Sequence, residues 1–349
     1  MAFLDIPNVS IKGLSACVPN QIDLIPQIYK WDGVNQFMES TGIKERRRVN
    51  DQTTASDLCI DAAASLIIEL GWKREEIEAV VFVTQTPDYR LPATSCIIQD
   101  KLNLPNSCFC LDISLGCSGW VYGLSVITSL MQSGNIKKGL LLAGDTLTKI
   151  ISPEDKSTFP LFGDAGTATA LEYEEGAKGF KFDMHSDGKG FETIIVREGG
   201  FRNEVTPPLH TDQTGDEISN GQFLFLDGMN VFSFGINKAP KSVKTLATHF
   251  DLDITNVDIF AFHQANKMMN EMIRKKLKLD SSKVPSSLES FANTSAASIP
   301  LTLVTQEAKR LRNDILTHIA CGFGVGLSWG SVWFETDKIK VPNLRIYKD

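Results

Sequence analysis

Three residues of this sequence combine a reactive side chain with a setting that could present it to a substrate. Cys117 follows an apolar run, CFCLDIS, through a Leu-Gly turn and stands directly before SGW, which opens a helical pattern. A thiol at a helix start faces unpaired N–H groups and the positive end of the helix dipole, both of which favour thiolate. Strand-to-helix turns recurrently carry nucleophiles, and Gly116, Ser118 and Gly119 leave room beside the sulfur. A buried structural thiol is the competing reading. His263, in AFHQAN, ends a short apolar run just before a helical pattern that starts near Lys267, so its ring can enter a cleft. Of the five histidines it is the one so placed; His185, His210 and His249 lie in polar or acidic surroundings and His318 within a strand pattern of the core. Asn293 sits in FANTSAASIP, a turn of small residues where Asn, Thr and Ser also serve as helix caps.

Two glycine-rich stretches and one basic helix complete the set. CGFGVGLSWG, from Cys321, precedes an alternating SVWFE strand rather than a helix, which excludes a dinucleotide-binding loop. It reads as a tight turn whose N–H groups can approach a substrate closely, as an oxyanion hole requires. FGDAG, from Phe162, reads as a turn between strands with Asp164 holding it. In KMMNEMIRKKLK, Lys267, Arg274 and Lys278 fall on one helical face. That face is either solvated or a dock for an acidic partner.

Alternating strand and helix patterns must position these groups. The spacing of apolar residues predicts helices over 53–70, 92–102, 118–132, 267–277 and 295–311, and strands over 77–84, 108–113, 139–143, 166–172, 257–262, 315–320 and 330–335. This rhythm is that of an α/β layer fold. Strand-then-loop at 77–90 matches 257–266, and strand, Gly-rich turn, strand at 139–172 matches 315–335. Two related halves, 1–178 with the cysteine and 179–349 with the histidine and asparagine, are therefore expected. The polar stretch 197–222 reads as a surface excursion or a flap over a substrate entrance.

Composition limits the function classes. A chain of 349 residues with 42% hydrophobic and 22% charged residues is an ordinary globular protein. A net charge of −7 argues against general nucleic-acid binding. No apolar run approaches the ~20 residues that span a bilayer, and the first eight residues do not read as a signal peptide. Seven cysteines without a CxxC pair or Cys/His ligand spacing support neither a disulfide framework nor a zinc site. The expectation is a cytoplasmic protein without a metal.

Together these motifs resemble the ketoacyl-ACP synthase III family of the thiolase superfamily. The matching elements are TGIKER at 41–46, SLGCSGW around Cys117, FGDAGTA at 162–168, HQAN at 263–266, NTSAASIP at 293–300 and FGVGLSWG at 323–330. The resemblance runs from about residue 10 to residue 335. It implies a five-layered αβαβα fold of two duplicated halves, a homodimer, and a Cys117–His263–Asn293 site at the end of a pantetheine tunnel. The implied chemistry loads an acyl group onto Cys117 from a thioester, with the backbone N–H groups of Cys117 and Val325 holding the oxyanion. Malonyl-ACP then loses CO₂, His263 and Asn293 donate to the enolate oxygen, and the carbanion attacks the acyl-cysteine to give 3-oxoacyl-ACP. No cofactor is implied.

Some positions depart from the family pattern. A Trp and an Arg that grip the adenine of CoA stand as Gln36 and Ser40, and a further Arg as Lys156. Stacking and bidentate phosphate contacts are lost with such changes, so an acyl-ACP donor, docked on Lys267, Arg274 and Lys278, gains over acyl-CoA. The aromatic residue that crosses the dimer to line the acyl pocket is Leu91, and the middle glycine of the last turn is Val325, whose backbone freedom is narrower. Two further readings compete: transfer of the acyl group to a hydroxyl or amine without condensation, and a non-catalytic subunit, which the presence of Cys117 disfavours.

Overall fold

The structure is a computed structural model and describes residues 2–205 and 221–348. Most of the polar stretch 197–222, including His210, lies outside the described residues.

Two mixed sheets form the frame. One runs in the order Arg345–Tyr347, Val9–Pro19, Ala165–Tyr173, Lys138–Asp145, Ala79–Val83, Phe109–Ile113. The other runs Ala2–Ile6, Phe180–Ser186, Ser328–Asp337, Ile315–Gly324, Ile259–Phe262. Starting from Ala79–Val83 or from Ile259–Phe262, the next three strands pair parallel, antiparallel and antiparallel in both sheets. The two halves thus share one plan. Both starting strands are buried at every residue, which is why they read as unbroken apolar runs rather than alternating ones.

Helices Gly119–Met131 and Ser298–Gln306 lie between the sheets and share one core with strands of both. Helices Ala55–Leu70 and Thr94–Lys101 cover the outer face of the first sheet, and Gly228–His249 and Lys267–Leu277 that of the second. The result is the five-layered αβαβα thiolase-like arrangement that the resemblance implies.

Several elements differ from their sequence reading. The helix expected over 295–311 is three pieces: a 3₁₀ turn at Ser295–Ala297, a helix over Ser298–Gln306 and, past a break at Glu307, a helix over Ala308–Asn313. Ser295 has φ +49°, which a right-handed helix does not admit. The helix expected from Pro92 starts at Thr94, where the Asp112 carboxylate accepts from the N–H groups of Thr94 and Ser95 at 2.6 and 2.7 Å. Each half lends its outermost strand to the other half's sheet: Ala2–Ile6 lies beside Phe180–Ser186, and Arg345–Tyr347 beside Val9–Pro19. Arg345 is anchored there on Asp61 at 2.7 Å.

Candidate active site

Two strands lead directly to two of the candidate residues. Phe109–Ile113 leads through the Leu-Gly turn to Cys117, and Ile259–Phe262 stops immediately before His263. Ile315–Gly324 and Ser328–Asp337 are joined by a turn that carries Val325. Cys117, His263, Asn293 and Val325 all line one narrow cavity of about 100 Å³, together with Ser295 and Phe323.

The glycine turn passes directly beneath the thiol. A Cβ on Gly324 would stand 2.5 Å from Cys117 Cβ and 2.9 Å from its Sγ, so only glycine permits the approach. The backbone N–H groups of Val325 and of Cys117 itself reach the sulfur. Ser328 Oγ donates to the Val325 carbonyl at 2.8 Å and lies 2.7 Å from Ser118 Oγ, tying the two turns together. The positive φ of the turn, +134°, falls on Gly326 and not on Val325. The valine is therefore compatible with the turn.

Asn293 is buried, and its amide is oriented by the backbone two residues on: Oδ1 accepts from Ser295 N at 3.0 Å. Nδ2 is then the donor left for the cavity. The main chain of Asn293 is itself bridged to the 161–163 segment, with its N–H on the Leu161 carbonyl and its C=O accepting from Gly163 N. Asp164 holds that segment as expected, accepting from Val49 N and Thr148 N.

His263 is buried, with its ring edge-on to Phe323 and Nδ1 2.7 Å from Ser298 Oγ. Burial pushes its pKa down to about 3, so the imidazole is neutral at ordinary pH. Gln264 and Asn266 of the same motif are structural. Gln264 Oε1 accepts from Ser287 N, and Asn266 caps the helix Lys267–Leu277 through Met269 N.

Desolvation of the thiol runs against one expectation from sequence. Enclosure pushes the Cys117 thiol up to about 12, and the nearby Asp145 carboxylate adds to the rise. The Ser295 hydroxyl and the two backbone N–H groups lower it, but less than burial raises it. Desolvation thus opposes the thiolate that the helix start favours, and a proton acceptor beside the sulfur would assist its reaction.

The remaining sequence candidates lie outside the cavity. Leu91 is 82% exposed on the surface. Lys267 and Lys278 are exposed, but Arg274 is not a free cation. Its guanidinium binds both carboxylate oxygens of Glu271 and donates to the Leu279 carbonyl at 2.7 Å. Gln36 is exposed, and the Ser40 hydroxyl is turned back onto the Phe37 carbonyl at 3.0 Å. Ser298, Ser328 and Asp145 escaped sequence reasoning, which read Ser118 only as leaving room beside the sulfur and Ser295 only as a cap. Asp145 alone left a signal there, as a carboxylate closing the apolar run LLLAG.

Comparisons with known proteins place the chain in a family. Residues 111–188 match the model of 3-oxoacyl-[acyl-carrier-protein (ACP)] synthase III, and residues 248–336 match its C-terminal domain. A relative in Campylobacter jejuni bearing the name 3-oxoacyl-[acyl-carrier-protein] synthase 3 is 34% identical over 97% of this chain and 95% of its own. The chain belongs to the 3-oxoacyl-[acyl-carrier-protein] synthase III family. A β-ketoacyl-[acyl-carrier-protein] synthase III of Streptococcus mutans is 33% identical over 90% of this chain and 95% of its own. A solved 3-oxoacyl-(acyl-carrier protein) synthase of Burkholderia xenovorans superposes with a TM-score of 0.93 at 38% identity, covering 99% of both chains. The protein is an enzyme of the synthase III type, built on the thiolase fold of condensing enzymes. Among the described residues no group of side chains could hold a metal ion, and no helix is long and apolar enough to cross a membrane.

Proposed function

We propose that this enzyme transfers an acyl group from a thioester to Cys117 and condenses it with malonyl-ACP, releasing CO₂ and forming 3-oxoacyl-ACP. The observation that carries the reading is the amide of Asn293. Its oxygen is held by Ser295 N–H, which leaves the NH₂ as a fixed donor in the cavity that also contains Cys117 and His263. Two neutral donors converging on one oxygen are what an enolate requires.

In the first half-reaction the thiolate of Cys117 attacks the donor thioester. The oxyanion rests on the N–H groups of Cys117 and Val325, and the donor thiol departs. In the second, the malonyl thioester oxygen sits between Asn293 Nδ2 and His263 Nε2. Nδ1 of the neutral ring lies 2.7 Å from the Ser298 hydroxyl; with that hydroxyl as the donor, the ring proton sits on Nε2, facing the substrate. Loss of CO₂ puts charge on an oxygen already held by two donors, and the carbanion attacks the acyl carbon and frees Cys117. Transfer to a hydroxyl or amine forms a tetrahedral oxyanion, for the Cys117 and Val325 N–H groups, but no enolate for Asn293 to stabilise.

The acyl donor in this reading is acyl-ACP. Exposed Lys267 and Lys278 offer charge to an acidic carrier protein, while Gln36, Ser40 and Lys156 provide no aromatic grip on adenine. The homodimer is part of the same proposal. Strand Phe109–Ile113 ends its sheet with one edge unpaired and Phe109 43% exposed, a template for a second copy. Leu91, exposed on its own protomer, is then available to a partner's acyl pocket. The deciding experiment follows a Cys117-bound acyl group into 3-oxoacyl-ACP on addition of malonyl-ACP, with Asn293→Ala as the variant that acylates and does not condense.

A further inference from the structure

The condensation reading, on which this inference rests, leaves the thiol proton of Cys117 without a destination. If Ser298 donates to His263 Nδ1 and Nε2 carries the ring proton, the imidazole has no lone pair left for the thiol. The structure holds another acceptor beside the sulfur. Ser295 Oγ lies 4.0 Å from Cys117 Sγ, within reach of a sulfur hydrogen bond. The same hydroxyl lies close enough to the carboxylate of Asp145 to favour its charged form.

Asp145 has no exposed surface, yet it is well supplied with donors: Gln85 N at 2.7 Å, Thr84 Oγ1 at 3.1 Å and Ala296 N at 3.2 Å. It stands at the last residue of the strand Lys138–Asp145, and these donors come from the end of the neighbouring strand and from the turn after Asn293. The titratable groups that feel its charge are thiols, Cys117 in the cavity and Cys59 on the helix Ala55–Leu70.

Two backbone features keep the bridging hydroxyl in place. Ser295 holds φ +49°, a left-handed conformation that is costly for a residue with a side chain. Gly116 leaves room for the Gln85 carboxamide and the hydroxyl, since a Cβ there would stand 2.1 Å from Gln85 Oε1 and 2.9 Å from Ser295 Oγ.

We propose that the Cys117 thiol loses its proton through the Ser295 hydroxyl to the Asp145 carboxylate, with His263 reserved for the enolate. In the forward step the Sγ–H bond breaks as Ser295 Oγ takes that proton. The original hydroxyl proton of Ser295 passes to a carboxylate oxygen of Asp145, giving thiolate beside a neutral acid. The thiolate then forms the C–S bond to the acyl carbon, and the bond to the donor sulfur breaks. The departing thiolate recovers the proton by the reverse route, which restores the Asp145 carboxylate. Neutralising Asp145 also removes the charge that opposes thiolate formation, so the transfer costs less than ionising the thiol beside an anion. Ser295 touches the reacting sulfur, and Asp145 acts through it.

The test is the pH profile of Cys117 alkylation by iodoacetamide, read by peptide mass spectrometry on the full-length enzyme. It needs no acyl substrate, so its outcome is independent of whether condensation is the right reaction. Burial pushes Asp145 up to about 6. Internal transfer to a carboxylate therefore predicts a rate that levels off above about pH 6 and climbs again only as solvent removes the thiol proton. Ser295→Ala should abolish the plateau, giving a steady rise with pH and a rate near neutrality lower by about 10²-fold, the usual scale of acid–base assistance. His263→Ala should keep the plateau. Asp145 retains three other donors in Ser295→Ala, and an unchanged melting temperature would confirm the fold; Asp145→Asn, where it folds, should behave alike. A plateau that survives in Ser295→Ala but vanishes in His263→Ala would overturn the proposal, as would a wild-type profile with no plateau.

Discussion

Ser298 Oγ stands 2.7 Å from Nδ1 of His263, both groups buried in the middle of the molecule. A neutral imidazole carries one proton, and the partner of Nδ1 decides which nitrogen keeps it. In the proposed reaction the hydroxyl is a donor and Nε2–H faces the enolate. Ser298→Ala should therefore slow malonyl-ACP decarboxylation by about 10-fold or more while changing Cys117 acylation little, part of the ~10²–10³ that an oxyanion donor is worth. Separate assays of CO₂ release and of single-turnover acylation check this. Equal losses in both half-reactions would show that Ser298 only supports packing.

The basic helix divides into residues that can dock a partner and one that cannot. Arg274 is occupied by Glu271 and by the Leu279 carbonyl at the helix end. Lys267 and Lys278 are exposed. Charge reversal of the two lysines should raise KM for acyl-ACP several-fold at low salt, with the effect fading as ionic strength rises. Arg274→Ala should lower thermal stability and leave that salt dependence intact. If Arg274→Ala alone abolishes carrier-protein preference, the ion pair opens on binding and the division fails.

Acid stability reports on the buried histidines. Burial pushes His263 and His318 down to about 3, below the ordinary value of 6.5. The unfolded chain binds those protons below about pH 6.5 and the folded chain does not until about pH 3, so stability is complete above that window and falls as pH drops through it. Asp145 and Asp164, raised to about 6, act in the opposite sense between about 6 and 3.8. His318 stacks on Phe334 at 4.6 Å and takes no part in the site. His318→Phe should remove one proton from the balance, so its stability should fall by about 2 kcal/mol less than wild type between pH 6.5 and 5. Urea midpoints at both pH values measure this; parallel changes would place the acid lability elsewhere.

Much of this arrangement was legible in the chain itself. His263 and the glycine turn end or join buried strands, and the unbroken apolar run IFAF marks the residue that follows it, whereas Cys117 follows the partly exposed strand Phe109–Ile113 and was marked by its glycine turn and helix start. The helix Gly228–His249 was not legible, because Gly235 and Pro240 interrupt its pattern. A Cβ on Gly235 would meet Met269 Sδ at 2.6 Å, so the glycine serves close helix packing against the neighbouring layer. The supporting serines were hidden for another reason. In NTSAAS any hydroxyl reads as a cap, and only the positive φ at Ser295 turns one toward the thiol. A helix start at Cys117 is visible in sequence, and the desolvation that opposes thiolate there is not.

The central claim is that one cavity loads an acyl group on Cys117 and discharges it by decarboxylative condensation. Intact-protein mass spectrometry after incubation with acyl-ACP, followed by a chase with malonyl-ACP, tests it most directly. The account predicts a single adduct mapping to Cys117, discharged on the chase with CO₂ and 3-oxoacyl-ACP formed in equal amounts; in Asn293→Ala the adduct forms and stays. An adduct on Cys96 or Cys321, or a Cys117 adduct that malonyl-ACP leaves untouched while an alcohol or amine removes it, would contradict the account.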